Sequence, residues 1–156
     1  VIEFKIRGTA IKGLGRISAN VMPASILAMK ATAEWVRGYV VKYKLSGQVL
    51  HNRNGGLSGA IQSDAKIRAG SVIGRVGSGL KGRMLAYARI HELGGIIRTK
   101  DAPYLIFKTA SGWVKTKEVK MPKRSYLQSS VREKKREIVN RYGKLFYASL
   151  SRGSIL

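Results

Sequence analysis

The sequence predicts an α+β fold: an antiparallel sheet of about four to six strands, with a long N-terminal helix and a C-terminal helix packed on it. Three observations point there. An apolar stripe at helical spacing lies near the start, a second lies near the end, and short alternating segments fill the middle with one short helix among them. A chain of 156 residues suits one domain, and residues 1–156 hold no internal repeat and no linker long enough to divide them.

The elements follow in order. Val1 to Arg7 alternates like a strand, is closed by Gly8, and lacks the apolar core of a secretory leader. Pro23 suits a first helical turn, because its fixed φ is already helical. From Ala24 to Leu45, the residues Ile26, Met29, Ala33, Val36, Val40 and Tyr43 recur at spacings of three and four, and Ser46-Gly47 ends that helix. His51 to Ser58 reads as a polar, glycine-rich connection. Gly59–Arg68 and Ser71–Val76, separated by Ala69-Gly70, read as a hairpin. Gly77 to Gly82 is a break, and Leu85–Leu93 a short helix stopped by Gly94-Gly95. Strands are expected over Ile96–Thr99, Tyr104–Thr109 and Trp113–Val119, with Tyr104, Phe107 and Trp113 packing in the core. Ser125 and Gln128 match a capping box, in which each side chain satisfies an orphan backbone N–H. Behind them Leu127, Val131, Ile138, Tyr142, Leu145 and Ser149 trace a last helix to about Leu150.

Charge is the least ordinary property. Thirty Lys and Arg against eight Asp and Glu give a formal +22, which calls for polyanions or acidic protein surfaces as partners. Eleven of the basic residues fall between Lys115 and Lys144: Lys115, Lys117, Lys120, Lys123, Arg124, Arg132, Lys134, Lys135, Arg136, Arg141 and Lys144. They are candidate DNA- or partner-facing groups, several on the last helix opposite its apolar stripe. Their plainer role is a solvated, solubilising face. No DNA- or RNA-reading motif accompanies them, so nucleic-acid contact would go to phosphates and be salt-sensitive and nonspecific.

Enzyme chemistry finds little to work with. Gly77-Ser78-Gly79-Leu80-Lys81-Gly82 fits the spacing of a dinucleotide loop, with Asp101 placed as a ribose partner. A hairpin strand is the wrong context for it, and no second βαβ half follows. His91-Glu92 opens like a zinc-protease helix, but the second histidine would fall at Gly95. Glu133 and Glu137 sit among Lys134, Lys135, Arg136 and Arg141, as ordinary ion pairs do. There is no cysteine, and no Gly-x-Ser-x-Gly elbow. The expectation is therefore no catalytic residue, no cofactor, no metal and no small-molecule substrate. No apolar run approaches the roughly 20 residues of a membrane span, so no membrane partner is expected.

Four segments in order carry a resemblance. Tyr87-Ala88-Arg89-Ile90-His91-Glu92-Leu93-Gly94-Gly95 resembles the Tyr-Ala-x-x-(His/Val)-Glu-(Phe/Leu)-Gly signature of tail-completion and head–tail joining proteins of tailed bacteriophages. Arg53-Asn54-Gly55-Gly56-Leu57-Ser58-Gly59-Ala60-Ile61 is similar to that family's Arg-x-Gly-x-Leu-x-x-Ser-Ile, with one extra glycine and Ala60 in place of Ser. Leu105-Ile106-Phe107 lies where the family has a Leu-x-Phe strand. Pro122-Lys123-Arg124-Ser125-Tyr126-Leu127 looks like its Pro-x-Arg-Pro-Phe-Leu, with Ser125 and Tyr126 as the departures. The favoured role of these motifs is structural: Gly94-Gly95 ends a helix and turns into a strand, and Pro122 to Ser125 launches the last helix.

The resemblance implies a structural virion protein that forms a ring at the head–tail junction, between the connector or head-completion proteins and the tail tube. A hexamer is the first expectation and a twelve-subunit ring the second, closed by repeated head-to-tail contacts. The protein would be found in the host cytoplasm during assembly and in the virion afterwards. Its positive charge would line a channel for phage DNA or dock acidic connector surfaces. The alternative, from charge alone, is a basic nonspecific nucleic-acid-binding protein.

Overall fold

A computed structural model describes residues 2–5, 21–47, 49–50, 55–100 and 102–153. His51, Arg53 and Asp101 lie outside the described residues, as do the flanks of the expected first strand. Mixed helix and antiparallel strand is the class observed. The chain falls into two compact units, one formed by 1–80 with 126–156 and the other by 81–125.

In the first unit, β1 (Ile2–Lys5), β2 (Ile61–Arg68) and β3 (Ser71–Ser78) form an antiparallel sheet in the order β1-β3-β2. Pleating puts Ile61, Ala65, Val72 and Val76 on the buried face, and places Asp64 opposite Arg75 on the other, where they form an ion pair. The turn residues Ala69 and Gly70 both have positive φ, 48° and 67°. That is the twist a two-residue hairpin demands.

Against β2 and β3 lies α1 (Val21–Tyr43), a helix that also runs along α5 (Lys135–Gly153). Met29, Ala33, Val36 and Val40 are buried as their spacing requires, and Ile26 is half-buried. Tyr43, expected on the same stripe, is 44% exposed. The helix ends there, and Leu45 in the following turn takes the inward place. Two buried hydroxyls on α1 are satisfied: Thr32 Oγ1 donates to the Ala28 carbonyl at 2.7 Å, and Ser25 shares a 2.6 Å hydrogen bond with Tyr142.

The expected single C-terminal helix is two pieces, α4 (Leu127–Glu133) and α5, joined through Lys134. The apolar stripe explains the break. It steps from Val131 to Ile138 with no apolar residue in the intervening turn, where Lys134 and Lys135 stand. The ladder itself bridges the gap, with Lys134 N–H bonded to Ser130 and Ile138 N–H to Lys134. By backbone conformation Tyr126 is the N-cap, without a cap bond from its own side chain, and the Ser125 hydroxyl donates to the Glu92 carboxylate.

The second unit holds α3 (Gly82–Leu93), β4 (Gly95–Arg98), β5 (Leu105–Thr109), β6 (Gly112–Thr116) and β7 (Glu118–Met121). Here the expectation of one sheet fails. Among the described residues β4 pairs with β7, β5 pairs with β6, and neither ladder joins the sheet of β1 to β3. The segment Trp113–Val119, expected as one strand, changes partner at Lys117. Thr116 holds that corner by donating to the Glu118 carbonyl at 2.9 Å while accepting from the Glu118 N–H at 3.3 Å. A local side-chain bond of this kind competes with continuation of the ladder.

Candidate functional site

In the second unit two of the four segments singled out in the sequence meet. Along α3, Ala88, His91 and Glu92 share the buried face, at the spacing that stacks side chains on one side of a helix. Gly94 ends the helix with φ 73°, its N–H bonded to the Ile90 carbonyl at 2.8 Å, and Gly95 at φ 148° opens β4. A Cβ on Gly94 would stand 2.9 Å from the Lys123 backbone nitrogen, so glycine is required by conformation and by space. Beside it the Arg124 N–H donates to the His91 carbonyl at 2.8 Å, and the Ser125 hydroxyl donates to the Glu92 carboxylate at 2.7 Å. Tyr87–Gly95 and Pro122–Ser125 are thus stitched together, and both departures within the Pro122–Leu127 segment, Ser125 and Tyr126, have work: Tyr126 is 1% exposed in the core of the first unit.

Other motif residues hold backbone or core positions. Gly56 and Leu57 lie in α2 (Gly56–Gly59), a single turn in which Ser58 donates to the Gly55 carbonyl at 3.0 Å. Ile61 and Leu127 are buried, while Leu105 and Phe107 are half-buried on β5. Pro122 and Tyr87 are exposed. Arg53 lies outside the described residues.

Little of this is arranged for proton transfer. Both ring nitrogens of His91 are buried with no hydrogen-bond partner, and the Tyr87 ring meets the imidazole edge-on at 4.3 Å. Burial pushes the imidazole pKa down from its ordinary value, and the Arg124 charge adds to that. A neutral, enclosed ring is a packing group. Among the described residues no three or more His, Cys, Asp or Glu side chains gather as a metal site. Gly77 and Ser78 end β3, whose neighbours are both antiparallel, so the dinucleotide-like loop lacks the parallel βαβ context it needs.

The carboxylates are mostly engaged. Glu34 pairs with Arg37 and accepts from Ser63, and Glu118 pairs with Arg98 at 3.2 Å. Glu133 pairs with Lys44 at 2.8 Å and Glu137 with Lys134 at 2.6 Å. Hydrogen bonds from Arg37, Arg75 and Lys44 hold Glu34, Asp64 and Glu133 below the usual carboxylate range. This leaves most cations unneutralised.

Of the candidate basic residues, Lys115, Lys117, Lys120 and Lys123 are exposed in the second unit. Arg132, Lys135, Arg136 and Lys144 are exposed in the first. Two are otherwise occupied: Lys134 is paired and lies 5.0 Å from the Tyr39 ring centroid, and Arg141 lies 5.5 Å from that of Trp35. Exposed aromatics were missed. Tyr104 and Trp113, expected in the core, are 39% and 74% exposed, because strand parity puts them opposite to Leu105, Phe107 and Val114. The signal available was their alternation with Lys108 and Lys115 on the same face. Compared with protein-family models, curated proteins and solved structures, the chain matches none.

Proposed function

We propose that this chain is a virion assembly protein of a tailed bacteriophage, a neck or tail-completion subunit that acts by binding neighbours. It forms a ring at the head–tail junction, six subunits in the first instance and twelve in the second, between the connector proteins and the tail tube. The observation that carries this reading is the set of four motifs in family order. Support comes from two of them, Tyr87–Gly95 and Pro122–Leu127, which touch through Gly94, His91, Glu92 and Ser125. Motifs kept for packing suit a protein whose product is a shape, and an enclosed His91 with paired carboxylates suits a protein without a reacting group.

Deleting the gene should leave filled heads and separate tails that fail to join. Normal virions from the deletion strain would refute the proposal. Electron microscopy of particles carrying a labelled subunit should place it at the neck and give the ring's symmetry.

One observation favours a second reading, nonspecific nucleic-acid binding: the exposed cations outnumber the carboxylates available to neutralise them. It predicts duplex DNA binding by the isolated chain that weakens with a log–log slope of about −0.9 per phosphate contacted. Absence of binding at low salt removes it.

A further inference from the structure

The β5–β6 hairpin has two unlike faces. Leu105, Phe107 and Val114 are half-buried on one. On the other, Tyr104, Ile106 and Trp113 are 39%, 64% and 74% exposed. Register sets Ile106 opposite Lys115 and Lys108 opposite Trp113, so apolar and cationic side chains alternate across the outer face. The Lys115 ammonium stands 4.1 Å from the centroid of the Tyr104 ring. A tryptophan and an isoleucine displayed together among lysines, on a ladder that fixes their spacing, are the makings of an interface hot spot.

We propose that this outer face docks an acidic protein partner, one offering an apolar socket for Trp113 and Ile106 ringed by carboxylates for Lys108 and Lys115. The proposal deepens the assembly reading by naming the surface and the chemistry of one neighbour, and it rests on that reading only for the partner's being a virion protein.

Charge decides the occupant. A second copy is a poor one: among the described residues Glu34, Asp64, Glu118, Glu133 and Glu137 are held in ion pairs and Glu92 is buried, which leaves exposed Glu3, a single carboxylate where a ring of them is needed. Hairpin against hairpin sets lysine against lysine, and like charges brought together disfavour the contact. Duplex DNA would satisfy the lysines but not the rest, because its bases are stacked inside and its rim is phosphate. Trp113 and Ile106 would stay in water. A carboxylate-rimmed apolar pocket satisfies both kinds of side chain at once, in the usual pattern of a dry centre within a polar rim.

The test uses intrinsic fluorescence. The chain has two tryptophans, Trp35 and Trp113, so Trp35→Phe leaves Trp113 as the sole indole reporter. The full-length variant is titrated with a random glutamate–leucine copolymer, with polyglutamate of the same length, and with duplex DNA of matched charge. The copolymer should shift Trp113 emission to the blue and bind about tenfold more tightly than polyglutamate. In the parent chain Trp113→Ala should abolish that preference, read by anisotropy of labelled polymer, while Lys115→Glu should weaken both polymers. Both side chains are solvent-facing, so melting temperatures should be unchanged, which separates lost docking from lost folding.

Equal affinity for the two polymers overturns the proposal. So does a larger blue shift with DNA, which would make the face a nucleic-acid surface, or a shift on raising protein concentration alone, which would make it a self-contact. Any of these leaves the phage reading standing, whereas normal virions from the deletion strain defeat that reading and leave the hairpin's chemistry intact.

Discussion

The Ser125 hydroxyl donates to the Glu92 carboxylate across 2.7 Å, tying the end of α3 to the segment after β7. Glu92 is only 8% exposed, so this bond holds a carboxylate that has little access to water. Ser125→Ala should destabilise the second unit by roughly 1.5–3 kcal/mol, the usual worth of a hydrogen bond to a charged group. Gly94→Ala should cost at least as much, through strain at positive φ and collision with Lys123. Hydrogen exchange on β4 and β7 amides reads both, and unchanged protection in the two variants would defeat the stitching argument.

Stability should also depend on pH through His91. Burial holds the folded-state pKa below the value of about 6.5 at which the unfolded imidazole titrates. Between those two values the unfolded chain binds the proton and the folded chain does not. The stabilisation is therefore complete above about pH 6.5 and is lost as pH falls toward the folded pKa. Denaturant midpoints measured through this window should decline, and His91→Phe should flatten that part of the curve. Glu34, Asp64 and Glu133, whose pKa values are also depressed, act below it, around the unfolded carboxylate range.

Ala69 is the one described non-glycine residue with positive φ, 48°. A Cβ in that conformation costs on the order of 1 kcal/mol, and the matching turn favours Asn before Gly. Ala69→Asn should raise the melting temperature. A fall would mean that the β2–β3 turn differs from the one described.

The core divides large effects from small ones. Met29 on α1 is fully buried, and Met29→Ala should cost about 2–5 kcal/mol. Tyr147 on α5 is 73% exposed, and Tyr147→Ala should stay within about 0.5 kcal/mol. Chemical denaturation compares the pair directly, and comparable losses would place the core elsewhere.

What could be read in advance was local. The buried residues of α1 recur every three or four positions, and that period needs no partner to be recognised. The β2–β3 hairpin was legible for the same reason, since its strands and turn adjoin. Gly94-Gly95 was legible as a stop because only glycine accepts those angles readily.

The rest depended on partners distant in sequence. Ile106 and Phe107 are adjacent and both apolar, so period two names two faces without saying which turns inward. Trp113 faces out because Phe107 and Val114 face in. Ser125 has the right neighbours for a helix cap, but nothing local announces that its hydroxyl also reaches Glu92, 33 residues earlier in the chain. The sequence by itself determined the helical stripes, the turn chemistry and the surplus of cations, since each follows from neighbouring residues alone. Tertiary structure decided which strands pair, where Trp113–Val119 divides, and which aromatics remain in water. Those outcomes turn on pairing across space, where competing partners differ by only a few kcal/mol.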